Sequence, residues 1–143
     1  MEIVHFETGW KTKDGLAIYA RGWEPQGVTL RGVVCLVHGI GEHGGRYGHV
    51  AEAFCNEGMV FWAPDMRGHG RSEGIKGHLA SSGTIISDID QYIGTAREKY
   101  PNLPVFLMGH SLGGIFVLFY GLTKPQNLAG VISLAPGLRN ALQ

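Results

Sequence analysis

The stretch Gly109-His110-Ser111-Leu112-Gly113-Gly114 sets one serine between two apolar runs, Pro104 to Met108 and Ile115 to Leu122. A serine hydroxyl is a weak nucleophile until it is lifted clear of the backbone, given a base and set beside N–H donors. The G-x-S-x-G spacing supplies the lift, because a strand that turns sharply into a helix carries the hydroxyl at its apex. Glycine fits at 109 and 113, since side chains there would strike neighbouring backbone in so tight a turn. Ser111 is therefore the candidate nucleophile for acyl transfer. The tetrahedral oxyanion of that reaction needs two N–H donors. Leu112, at the start of the following helix, offers one. Ile40, in His38-Gly39-Ile40-Gly41 after the apolar run ending at Val37, offers the second.

The elements that must hold these residues are legible in the apolar pattern. Glu2 to Thr12 and Leu16 to Glu24 flank the turn triplet Lys13-Asp14-Gly15 and read as a β-hairpin. Gly32 to Val37 is a short, continuously apolar run, as expected of a strand buried on both faces. Arg46 to Glu57 carries Tyr47, Val50, Ala51 and Phe54 on one helical face, and Gly58 can stop it. Met59 to Ala63 reads as the next strand. Thr84 to Tyr100 then aligns Ile86, Ile89, Ile93, Ala96 and Tyr100 in an amphipathic stripe. Pro104 to Met108, the helix after Ser111 and Gly130 to Leu134 complete the order. Alternating strand and helix after a hairpin predicts an α/β fold: an N-terminal antiparallel hairpin, then a mainly parallel sheet with helices on both faces. Ligands on such sheets bind outside the carboxyl ends of the strands. The glycine-rich segments His38–Gly48, Asp65–Gly77 and Gly109–Gly114 all begin at strand ends, so they are expected to converge there.

Composition narrows the partners. A chain of 143 residues suits one domain, and 1–143 is read as a single unit. Twelve basic and twelve acidic residues cancel, so no field of one sign favours nucleic acid. Glycine occurs 23 times and clusters after apolar runs. That is more than twice the ~7% average usage, and the clustering suits functional turns. Cys35 and Cys55 form neither a disulfide framework nor a metal spacing and read as buried thiols. No metal and no organic cofactor is expected, because the serine mechanism needs neither. The N-terminus lacks a basic region ahead of an apolar core. No apolar run approaches the length of a membrane span, which takes about 20 residues. A cytoplasmic chain is expected, with transient lipid-surface contact left open.

Three motifs in one order, HGIGEHGGRY (38–47), PDMRGHGRSEG (64–74) and VFLMGHSLGG (105–114), resemble the monoacylglycerol lipase and lysophospholipase branch of the α/β-hydrolase family. The resemblance implies hydrolysis of a carboxylic ester of a single-chain lipid, with Ser111 as nucleophile and Ile40 and Leu112 as oxyanion donors. Relatives that act as dehalogenases or epoxide hydrolases carry aspartate at the elbow, so serine argues against those chemistries. The family places an acid and then a histidine after the serine, beyond a lid. Here no Asp or Glu follows Glu98 and no His follows His110. The resemblance thus spans the N-terminal half of the family's domain, ending at LAPGLRNALQ where the lid would begin.

Other histidines are weak substitutes. His110 is assigned to packing, because side chains adjacent to the serine point elsewhere; His38 and His43 are expected to brace the oxyanion loop; His5 and His49 have no motif around them. His69 and His78 lie nearest the expected active edge, yet a base role requires a hydrogen bond of roughly 3 Å to the serine. Asp65 is expected to hold its own glycine-rich loop, and Arg67, Arg71 and Glu73 to form a local ion pair. Three readings follow: part of a lipase-like esterase that alone is weak or inactive, a non-catalytic α/β unit that binds a lipid or a partner, or a half-enzyme completed by a second chain. An uncovered last strand would also favour self-association.

Overall fold

The computed structural model describes residues 1–137 and contains six strands in one sheet. β1 (Ile3–Lys11) and β2 (Ala17–Pro25) form the expected antiparallel hairpin. β3 (Gly32–Val37) and β4 (Met59–Pro64) pair in parallel, as do β3 with β5 (Val105–His110) and β5 with β6 (Gly130–Leu134). The spatial order is β1-β2-β4-β3-β5-β6, with β2 antiparallel to β4. The α/β architecture read from the pattern is the one observed.

All six residues of β3 are buried, because successive side chains point to opposite faces and both faces are covered. On one face Val33, Cys35, Val37, Trp62 and Leu107 pack against α2 (Ser82–Lys99) and α3 (Leu112–Thr123). On the other, Val34, Leu36, Phe61 and Met108 pack against Ala51 and Cys55 of α1 (Gly48–Asn56). Both thiols are free and buried, and burial pushes Cys35 up to about 12 and Cys55 up to about 11.

Some boundaries differ from the expected ones, each for a local reason. The helix expected from Arg46 begins as a 3₁₀ turn, Gly44–Tyr47, capped by the His43 side chain accepting from the Gly45 N–H. α2 begins two residues early, because Ser81 caps it through the Thr84 N–H. Its buried stripe includes Ile85, Asp88 and Tyr92, whereas Ile86 is only half-buried. β5 runs two residues past its apolar run, because its ladder continues to Gly109 on β3 and to His110 on β6. Most of the segment where a lid was expected lies outside the described residues.

An aromatic column ties the hairpin to α2. Trp10 stacks on Tyr92 at 5.2 Å and 8°, Trp62 stacks on Tyr92 at 6.3 Å, and the Tyr92 hydroxyl donates to the Trp62 carbonyl at 2.9 Å. Tyr92→Phe keeps the stacking and removes that bond. The expected loss is about 1 kcal/mol, read as a lower urea midpoint at unchanged slope.

Candidate active site

β5 ends at His110 and α3 begins at Leu112, leaving a single residue to reverse the chain. That residue, Ser111, has φ 57° and ψ −118°. A non-glycine residue there costs on the order of 1–3 kcal/mol and persists only where its surroundings compel it. The compulsion comes from glycine packing. A Cβ on Gly113 would lie 2.7 Å from the His38 carbonyl oxygen and closer still to that of Val37; one on Gly109 would collide with the Gly113 carbonyl. The start of α3 is thus pressed against the ends of β5 and β3. The Ser111 N–H donates to the Leu134 carbonyl at 2.9 Å, which fastens the turn to β6.

The two oxyanion candidates come to the same place. Leu112 opens α3, so its N–H is among the helix-start donors without an intrahelical acceptor. Among the described residues the Ile40 N–H also meets no protein acceptor. Ile40 and Leu112 line one pocket with Val37, Met66, Leu79 and Phe116, largely apolar in character. A Cβ on Gly39 would fall 3.3 Å from the Ser111 Cβ, so the loop and the turn are in close approach.

Two carboxylates organise the surrounding loops. Asp65, fully buried, accepts from the Arg21 guanidinium at 2.7 Å, from the Arg71 N–H at 2.9 Å and from the Gly44 N–H at 2.8 Å. It therefore holds both its own loop, as expected, and the one after β3. Burial pushes its carboxyl up, but these donors outweigh burial and hold it below the usual range. Glu42 is a residue that sequence reasoning misses. Its Oε2 accepts from the Gly39 N–H at 2.7 Å and faces His110 Nδ1 at 3.1 Å, while the Tyr47 hydroxyl donates to it at 3.1 Å. The available signal is the spacing Gly39-x-x-Glu42, the same three-residue reach-back that a capping box uses.

The histidines divide by what they touch. His38 is buried, and its Nε2 accepts from the Met66 N–H at 2.9 Å. Its Nδ1 therefore carries the proton, which is given to the Gly39 carbonyl at 2.7 Å. Burial pulls its pKa below the ordinary value, and the imidazole is neutral. His110 is not simply packed: its side chain is 41% exposed and paired with Glu42. His69 and His78 line the pocket, but His69 Nδ1 bonds the Arg67 carbonyl at 3.0 Å. Among the described residues no histidine hydrogen-bonds the Ser111 hydroxyl. The expected local ion pair is corrected as well. Arg67 reaches Asp88 at 2.6 Å and Asp14 at 2.8 Å, Arg71 lies 3.8 Å from Glu7, and Glu73 accepts from the Ala17 N–H. The charged side chains of this loop reach to α2 and the hairpin instead of to one another.

With the geometry in place, comparison with known proteins defines the class. A family described as serine aminopeptidase, S33, matches residues 29–143, and the chain belongs to that family of α/β-hydrolases. It is 39% identical over 124 residues to a monoacylglycerol lipase of Mycolicibacterium smegmatis, covering 87% of this chain and 44% of that protein. It is 35% identical over 123 residues to the monoglyceride lipase of Rattus norvegicus, covering 86% and 40%. A solved carboxyl esterase from Bacillus coagulans, in complex with glycerol, superposes with a TM-score of 0.78 at 30% identity, covering 90% of this chain and 43% of that one. The chain spans less than half the length of these curated relatives. No helix among the described residues is long and apolar enough to cross a membrane.

Gly113→Ala would place a methyl group against two carbonyls. Overpacking of that kind is expected to lower stability by about 2 kcal/mol or more. Gly94 occupies an open position of α2. Gly94→Ala is expected to raise stability by about 0.5–1 kcal/mol, and chemical denaturation of both variants separates packing from propensity. For His38 the folded pKa lies below the ordinary value of 6.5, so its contribution is complete above that pH and is lost as pH falls through the folded value. Urea midpoints measured across this interval should drop toward acid, and His38→Gln should shrink that drop.

Proposed function

We propose that this chain carries the nucleophile and oxyanion-binding part of a serine ester hydrolase acting on single-chain acyl lipids of the monoacylglycerol type. The observation that carries the reading is Ser111 at positive φ on a strand-to-helix turn, beside a largely apolar pocket lined by Ile40 and Leu112, whose N–H groups meet no protein acceptor among the described residues. The Ser111 Oγ attacks the ester carbonyl carbon, and its proton passes to a base. The Leu112 and Ile40 N–H groups hold the oxyanion, the C–O bond to the alcohol breaks, and water later releases the acid from the acyl-serine. Val37, Met66, Leu79 and Phe116 offer an apolar lining to an acyl chain. The names of the curated relatives support the lipid-ester assignment over the peptide substrate in the family's description.

The acid and the histidine then belong outside these 143 residues, which form the N-terminal portion of one hydrolase domain. Support comes from the absence of Asp or Glu after Glu98 and of His after His110, and from relatives of which the chain covers only 40% and 44%. The isolated chain is then weak, since loss of the serine or histidine in a well-studied protease costs about 10⁶ in turnover. A second reading, a non-catalytic unit binding a lipid or a partner chain, draws on the missing histidine contact at Ser111.

A fluorophosphonate probe separates the two. Oxyanion donors and binding alone retain about 10³–10⁴-fold catalysis over water, so slow labelling confined to Ser111 and abolished by Ser111→Ala is expected. Labelling spread evenly over surface serines, or absent, would favour the binding unit. Reading the coding sequence past residue 143 tests the source of the base: an acid followed by a late histidine is expected, and an immediate stop codon would reject that placement. On the longer chain, monoacylglycerol should be cleaved faster than lysophospholipid or an aminoacyl amide.

A further inference from the structure

We infer that Glu42 is the positioning residue of this site, fixing the spacing between the Ile40 N–H and Ser111 by gripping the residue that precedes each. The inference rests on the roles proposed above for Ile40 and Ser111 and deepens them. Glu42 Oε2 holds the Gly39 N–H at 2.7 Å and His110 Nδ1 at 3.1 Å. Gly39 leads into Ile40, and His110 leads into Ser111. One carboxylate oxygen thus spans the loop and the turn that must meet a single reacting carbonyl from two sides.

The grip is stiff for three reasons. Charged acceptors make shorter, stronger bonds to N–H groups than neutral ones do. Burial pushes the Glu42 carboxyl up, yet its bonds to His110, Gly39 and Tyr47 outweigh that and keep it below the usual carboxylate range, hence ionised. The Tyr47 hydroxyl, 3.1 Å from each carboxylate oxygen and anchored by a ring buried beside α1, blocks rotation of the carboxylate. Nor can the loop relax inward. A Cβ on Gly39 would already meet Glu42 Oε2 at 2.7 Å and the Ser111 Cβ at 3.3 Å, so the peptide is wedged between carboxylate and nucleophile. Without the carboxylate, Gly39 loses its N–H acceptor and His110 its partner together. A misplacement of ~1 Å at a reacting centre is worth ~10²-fold in rate.

The test uses the ¹⁵N-labelled chain as parent, Glu42→Ala, Glu42→Gln and Tyr47→Phe, with two readouts. One is the amide resonances of Gly39, Ile40 and Leu112; the other is the rate at which a fluorophosphonate modifies Ser111. Glu42→Ala should move the Gly39 amide upfield, shift Ile40 with it and slow modification by ~10²-fold. Glu42→Gln keeps a carbonyl oxygen for Gly39 but not the charge, so it should recover part of both. Tyr47→Phe should give the smallest change in each. A rate for Glu42→Ala within about threefold of the parent, in a folded protein, overturns the inference. So does an unmoved Ile40 amide. Should Glu42→Ala fail to fold, the two milder variants decide: rates that follow the Gly39 shift support the inference, and rates that ignore it reject it. Should the parent itself stay unmodified, the nucleophile assignment falls, and the response of the Ile40 amide alone then supports or rejects the positioning role.

Discussion

The carbonyl of Val37 lies where a side chain on Gly113 would have to be, and this absence of space governs the site. It lets the first turn of α3 settle against the ends of β3 and β5, which in turn obliges Ser111 to reverse the chain at positive φ. The strain, on the order of 1–3 kcal/mol, is met by packing on three strands, so the hydroxyl is presented by the sheet as a whole and not by a local turn preference. The backbone geometry at Ser111 and the core packing are therefore aspects of one contact. Loosening it costs both.

Around that contact, acidic side chains take the part that regular structure plays elsewhere. Loops at the carboxyl ends of parallel strands expose N–H groups that neither helix nor ladder satisfies. Asp65 collects three donors from two loops and the hairpin, and Glu42 collects donors from the loop after β3, the turn and the 3₁₀ segment. His38 joins the same two loops through both ring nitrogens. The loop after β3 is thereby fixed from several directions without belonging to any element.

The sequence was informative where a periodic or steric rule applied at short range. Apolar runs located β3 and β6 to the residue, Gly58 ended α1 at φ 79°, and the glycine spacing around Ser111 announced a sharp turn. It was silent where partners are distant. Arg67 reads as a neighbour of Arg71 and Glu73, but its partners lie 21 and 53 residues away. His110 reads as packing because Glu42, 68 residues earlier, is invisible until β3 and β5 are laid side by side. The antiparallel pairing of β2 with β4 escaped for the same reason: no local pattern records which edge a hairpin joins.

β6 pairs with β5 alone among the described strands, and its Leu134 carbonyl takes the amide proton of Ser111. A single hydrogen bond accordingly joins this outer strand to the backbone of Ser111. Whatever seats on that strand, or peels it away, tugs directly on the peptide group of Ser111.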